Sequence, residues 1–147
     1  MNIIIIQLLI PFFALLNNDV KSPDAILGKW ETIENNLIVE IYKINNEYKA
    51  KIVWFKNKNE KNNPSEKWLD IKNPNEALRN RRLLGMEVLQ HMIYNPKNNR
   101  WEYGKIYDCT TGKEWYSSAW LTKDNMLNVR GFWHFEFLGK NMLFKKL

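Results

Sequence analysis

The chain is poor in cysteine and histidine, the residues of disulfides and of much nucleophilic and metal chemistry. Its 147 residues include one cysteine, Cys109, so no disulfide can form within the chain and packing alone must hold it together; only a bridge to a second molecule stays open. The two histidines, His91 and His134, stand in separate strand-like contexts without the close ligand spacing of a zinc site. Cys109 beside either histidine would make a nucleophile and a base, but nothing supplies a third orienting group or an oxyanion site. The six glycines form no phosphate-binding loop. The chain is therefore read as a non-enzyme, with no catalytic residue, no metal and no cofactor.

Long apolar runs are missing everywhere except at the start. Residues Ile3 to Leu16 are almost all apolar, broken by Gln7 and Pro11, and the run falls short of the roughly 20 residues that a spanning helix needs. Residues 1–18 read as a signal peptide, and the expectation is a periplasmic or secreted protein. No Lys or Arg precedes the run and no small-x-small pair precedes Asn17-Asn18-Asp19, so an uncleaved anchor, with membrane association through this segment, is the alternative. The absence of a nearby cysteine argues against a lipid-modified N-terminus.

Aromatic residues, in contrast, are abundant. They make up 14% of the chain, with seven tryptophans, and such side chains favour strands around a large shared interior. A net charge of +6 permits attraction to nucleic acid, anionic lipid or an acidic ligand without choosing among them.

From Ile26 onward the periodicity is that of strands. Ile26–Ile33, Leu37–Ile44 and Tyr48–Phe55 form a meander turned at Asn35-Asn36 and Asn45-Asn46. Leu84–Tyr94, Arg100–Asp108, Lys113–Thr122, Met126–Phe135 and Leu138–Lys146 follow, separated by Asn95 to Asn99, Cys109 to Gly112 and Lys123 to Asn125. Between the two groups, Lys56 to Arg82 is polar and long, and Asn73-Pro74-Asn75-Glu76 starts a short helix through Asn80. About eight strands, with the last returning to Gly28-Lys29-Trp30, make an all-β, up-and-down antiparallel barrel spanning residues 24–147, with a short helix in the long central loop.

Leu27-Gly28-Lys29-Trp30, the stretch Asn73 to Met86, Gly104-Lys105-Ile106-Tyr107-Asp108 with Gly112-Lys113, and Leu127-Asn128-Val129-Arg130-Gly131-Phe132 resemble, in order, the DUF2147 family of uncharacterised exported bacterial proteins. The resemblance implies a lipocalin-like barrel with no established reaction and a role in binding a small apolar molecule. The chain departs from the family pattern at Arg82 and Cys109, where proline is common, and at Phe144, where tryptophan is usual. In lipocalin-like barrels a glycine bends the first strand and a tryptophan two residues on plugs that end beneath a cation. Gly28 and Trp30 fit those places, and Lys146, on the same face as Phe144, is the candidate cation.

Strand alternation nominates Tyr48, Ile52, Trp54, Met86, Val88, Trp101, Tyr103, Trp115, Val129 and Trp133 as inward-facing, a lining suited to a small apolar or amphipathic ligand. The competing expectation is that these side chains fill the barrel, leaving an envelope protein-interaction module with Tyr116, Trp120 and Phe132 as its contact patch. Arg79 and Arg81 are candidate anchors for a ligand carboxylate or phosphate, against local pairing with Glu76 or Asp70. Arg130, inside a strand, must point out, pair with a carboxylate or face the cavity. Single-stranded nucleic-acid binding, the third reading, needs exposed stacking aromatics and no leader; no nucleic-acid partner is expected. Oligomeric state is not legible.

Overall fold

The computed structural model describes residues 21–147, so the N-terminal run read as a signal peptide lies outside the described residues. Eight strands, β1 (Gly28–Thr32), β2 (Leu37–Ile44), β3 (Glu47–Phe55), β4 (Glu87–Asn95), β5 (Arg100–Asp108), β6 (Lys113–Leu121), β7 (Leu127–Phe132) and β8 (Lys140–Lys146), follow one another around a closed barrel. All pairs are antiparallel, including β1 with β8, so no sheet edge is left open. Hairpin reversals fall on asparagines: Asn35, Asn45, Asn99 and Asn125 adopt the left-handed conformation that asparagine tolerates better than other side chains.

Antiparallel order places the connections at alternate ends. One end carries the β2–β3, β4–β5 and β6–β7 turns and is closed by a 3-10 turn, Pro23–Ile26. Each residue of that turn accepts a hydrogen bond from the barrel. Trp101 Nε1 donates to Pro23 O (3.1 Å), Tyr48 Oη to Asp24 Oδ1 (2.6 Å), Lys146 Nζ to Ala25 O (3.0 Å) and Trp30 Nε1 to Ile26 O (2.7 Å). Trp30 lies opposite Lys146 in the β1–β8 register, and the ammonium sits 5.4 Å from the ring centroid. Gly28, at φ +112°, turns the chain from the 3-10 turn into β1. Above this floor Trp30, Tyr48, Met92, Trp101, Leu127 and Phe144 pack into one buried cluster, so the lower barrel is filled by side chains.

Several expected boundaries and faces are corrected. Ile26 belongs to the 3-10 turn rather than to β1, and β7 stops at Phe132, because Trp133 to Gly139 leaves the sheet as a loop containing a second 3-10 turn, Glu136–Leu138. The central helix is one 3-10 turn, Glu76–Leu78, capped by Asn75, whose Oδ1 accepts from Ala77 N (3.1 Å). Asn73 lies ahead of the turn: its Oδ1 accepts from Asn75 N (2.9 Å) and its Nδ2 donates to Asp70 Oδ2 (2.7 Å).

Bulges invert two aromatic faces. In β3 the partners jump from Ile52 with Val39 to Trp54 with Ile38, so Val53 is extra and Trp54 turns outward, 42% exposed. In β5 they jump from Trp101 with Ala119 to Gly104 with Ser117, and Tyr103, at φ +63°, stands 73% exposed. Gly104 then faces inward where any side chain would collide, since a Cβ there would lie 2.3 Å from Ser117 Oγ.

Candidate functional site

The open end gathers the β1–β2, β3–β4, β5–β6 and β7–β8 connections. Inward alternation continues up to it while burial does not. On β8, Phe144 is 5% exposed, and Met142, two residues nearer the opening on the same face, is 47% exposed. On β6, Ala119 and Ser117 are buried and Trp115 is half-buried. Ile106, Val129 and Val88 are half-buried too. The barrel is thus a filled cup with a shallow, apolar mouth.

A cleft of about 760 Å³ lies at this rim. Leu78 and Arg81 of the long connection, Lys105 and Tyr107 of β5, Trp115 of β6 and Trp133 beyond β7 contribute to its walls. Trp115 and Trp133 meet edge to face, with centroids 5.6 Å apart, and offer a rigid aromatic surface.

One wall is fixed by a buried carboxylate. Asp70 is fully buried and accepts from Tyr107 Oη (2.6 Å), Asn73 Nδ2 (2.7 Å) and Arg81 Nη2 (2.9 Å). Burial pushes its pKa up, but these three donors outweigh it and hold the carboxyl below its ordinary value. The Tyr107 phenol is pushed up to about 12 by burial and by Asp70. The same segment presses on the β5–β6 hairpin, where a Cβ on Gly112 would lie 2.0 Å from Lys72 O. The long connection is therefore docked, not trailing.

The residues nominated from sequence are distributed as follows. Arg81, Trp115 and Trp133 meet at the cleft. Tyr48 and Trp101 lie in the buried floor, and Trp54 and Tyr103 point outward. Arg79 donates to Asn73 O (2.8 Å) and pairs with Glu76 (3.3 Å), so both central arginines are engaged locally. Arg130 faces outward and donates to the carbonyls of Glu136 (2.6 Å) and Phe137 (3.0 Å) and to Asn141 Oδ1 (2.7 Å). Lys105 and Lys113, in the same cleft, have no carboxylate partner among the described residues. Alternation offered no reason to favour Lys105, Lys113 or Tyr107, because their place at the cleft depends on where the long connection docks.

The chain belongs to the DUF2147 family. The family's model, described as an uncharacterized protein conserved in bacteria, matches residues 28–146. Among solved structures the chain is similar to protein HP1028 of Helicobacter pylori, described as belonging to the lipocalin family. It shares 24% identity and a TM-score of 0.69, with 83% of this chain and 82% of that one covered. That likeness carries the fold: a closed eight-stranded lipocalin-like barrel. No curated protein matches the chain.

Within the family's fold, the described residues bring no three His, Cys, Asp or Glu side chains together as a metal site. Cys109 is half-buried against the Ile52, Leu83 and Met86 cluster, and burial, with Asp108 and Asp70, pushes its thiol up, away from the reactive thiolate. His91 lies near Glu47 (3.4 Å) and His134 against Trp133, with neither set up as a base for that thiol.

Proposed function

We propose that this protein is an exported, non-enzymatic binding barrel that takes a small amphipathic molecule at its rim. The observation that carries the reading is the fall in burial along one inward face, from Phe144 to Met142, beside the Trp115–Trp133 pair. Apolar side chains aimed into a barrel mouth and left wet are stabilised by an apolar ligand that removes them from water, at about 25 cal/mol per Å² covered. The solid floor limits the depth of binding, so the ligand lies across the mouth rather than along the barrel axis. Lys105 and Lys113 supply the cationic side of the cleft, opposed by Glu114; Glu87, also in the wall, is already engaged by Lys49 (3.2 Å). An anionic head group fits there better than a neutral one. Export is supported by the apolar run from Ile3 to Leu16.

Native mass spectrometry of the protein purified from an exporting host, before and after organic extraction, tests this. The expected result is an adduct that extraction removes, with a fluorescent fatty-acid probe displacing it in solution. A clean apo mass with no probe binding would favour a filled barrel that contacts other proteins.

A further inference from the structure

After β7 the chain leaves the sheet and folds back over the outer wall of the barrel before it enters β8. Ser118, on the outward face of β6 with Tyr116 and Trp120, is only 2% exposed because this loop covers it. The Glu136 carboxylate accepts from Ser118 Oγ (2.8 Å) and pairs with Arg100 of β5, and Arg130 of β7 holds the loop backbone at Glu136 and Phe137. An open groove of about 900 Å³ is left on the outside of the barrel, between the loop and the β4–β5 turn. Trp120, Phe135, Phe137, Asn99 and Asn141 are among its walls.

The apolar part of the groove is made of rings. Phe135 is 60% and Phe137 75% exposed, their rings stack at 5.6 Å, and the half-buried Trp120 carries the Arg100 guanidinium 4.6 Å from its centroid. The polar part has its charges engaged and its amides half used. Arg100 is matched by Glu136, and all three nitrogens of Arg130 donate, to two loop carbonyls and to Asn141 Oδ1. Asn99 Oδ1 accepts from Tyr94 Oη (2.8 Å) and Asn141 Oδ1 from Arg130 (2.7 Å), while neither Nδ2 has an acceptor among the described residues. Arg100 Nε is buried with no acceptor, a costly state that an incoming oxygen relieves. A phosphate or carboxylate ligand calls for a free cation, and a protein partner for a closely fitted centre depleted of charge. This groove suits a neutral ligand with C–H faces for the rings and both donors and acceptors around its edge. A pyranose is built that way: its axial hydrogens make an apolar face, and each hydroxyl donates and accepts. An open wall with no end to bury a single sugar favours a flat chain, the shape that equatorial β-1,4 linkages give.

We infer that the outer-wall groove binds a neutral β-1,4-linked glycan, with Phe135, Phe137 and Trp120 against its sugar faces and Asn99, Asn141 and Glu136 on its hydroxyls. The site stands apart from the small-molecule reading, since Phe135 and Phe137 line a different groove from the Trp115 cleft.

The test is saturation-transfer NMR of the purified protein with cellotetraose and with chitotetraose, both flat β-1,4-linked tetramers, and with maltotetraose, whose α-1,4 linkages curve the chain. Saturating the aromatic protons should mark the ring protons of at least one flat tetramer, and maltotetraose should bind about tenfold more weakly or not at all. Phe135→Ala/Phe137→Ala should weaken the flat tetramer by about tenfold or more. Both side chains are exposed and their loop is held through backbone carbonyls and Glu136, so this variant keeps the fold, which circular dichroism checks. Asn99→Asp keeps the acceptor for Tyr94, tolerates the left-handed backbone at this turn and loses the amide donor, so it should weaken binding by several-fold. The phenylalanine double variant should bind the fatty-acid probe as the wild type does, which separates the outer groove from the rim. Transfer to neither flat tetramer overturns the inference, as does equal binding by the wild type and the phenylalanine variant. Maltotetraose binding as tightly as the flat tetramers, or self-association of the wild type that the phenylalanine variant abolishes, also overturns it.

Discussion

At the closed end each residue of Pro23–Ile26 receives a hydrogen bond from the barrel, and Trp30 and Trp101 have almost no exposed surface. At the open end Trp115 is half-buried, and Trp133 and Met142 are exposed. The two ends use the same aromatic residue types for opposite purposes. Indoles at the floor have their N–H groups paired and their rings covered, which is how aromatic residues stabilise a domain without disulfides. Rings at the rim, Trp115 and Trp133, pack on each other and are covered only in part. Burial is thereby concentrated toward one end of the barrel axis, and that asymmetry can be broken by substitution.

The largest effect is expected at the floor. Trp30→Ala removes a buried ring, its hydrogen bond to Ile26 O and the surface beneath Lys146, and should cost about 3–5 kcal/mol in a urea titration followed by circular dichroism. A loss below about 1 kcal/mol would show that the floor is not where stability resides. Gly104→Ala should cost about 1–3 kcal/mol by overpacking, since its Cβ would meet Ser117 Oγ at 2.3 Å and Met92 Cε at 2.6 Å. Ser117→Ala in the same chain should return part of that loss. Alone, Ser117→Ala should be neutral or stabilising, because the buried hydroxyl has no hydrogen-bond partner.

The wall of the cleft gives an intermediate effect with a pH signature. Asp70 has its pKa lowered in the folded protein, so its ionised form contributes stability that is fully present above the unfolded value, near 3.9, and is lost as pH falls through the lower folded value. Asp70→Asn should cost about 1–3 kcal/mol at neutral pH, since Asn cannot accept from all three donors. Its melting temperature should then depend less steeply on pH below about 4 than that of the wild type. Parallel acid profiles would mean that Asp70 is not the linked group.

The barrel was legible because its signals are local and repeated: turn asparagines, alternating apolar residues, and a final strand whose Phe144 and Lys146 share a face. The Trp30–Lys146 contact follows from closure alone. The mouth was less legible. Trp54 and Tyr103 were placed inside because alternation has no memory of an inserted residue, and Val53 and Tyr103 are bulges that strand periodicity cannot detect. Asp70 joins Tyr107 across 37 residues through a connection whose course depends on docking against Gly112. Met126 to Phe135 read as one strand, so Trp133 and Phe135 of the β7–β8 loop were counted as sheet.

The smallest stability effect, and the most informative, is expected at the rim. Trp133→Ala removes one ring of an edge-to-face pair and little buried area, so it should cost at most about 1 kcal/mol. If that ring forms part of a binding surface, the same substitution should weaken the fatty-acid probe by about tenfold, the loss expected when half of an aromatic wall is removed. The ratio of the two effects is the useful quantity. A floor residue such as Trp30 changes binding only through the fraction of folded protein, so its binding loss vanishes once that fraction is accounted for. A rim residue that binds loses affinity while the folded fraction stays near one. Should Trp133→Ala destabilise the fold as much as Trp30→Ala, the rim would belong to the core, and the contrast between the two ends would be lost.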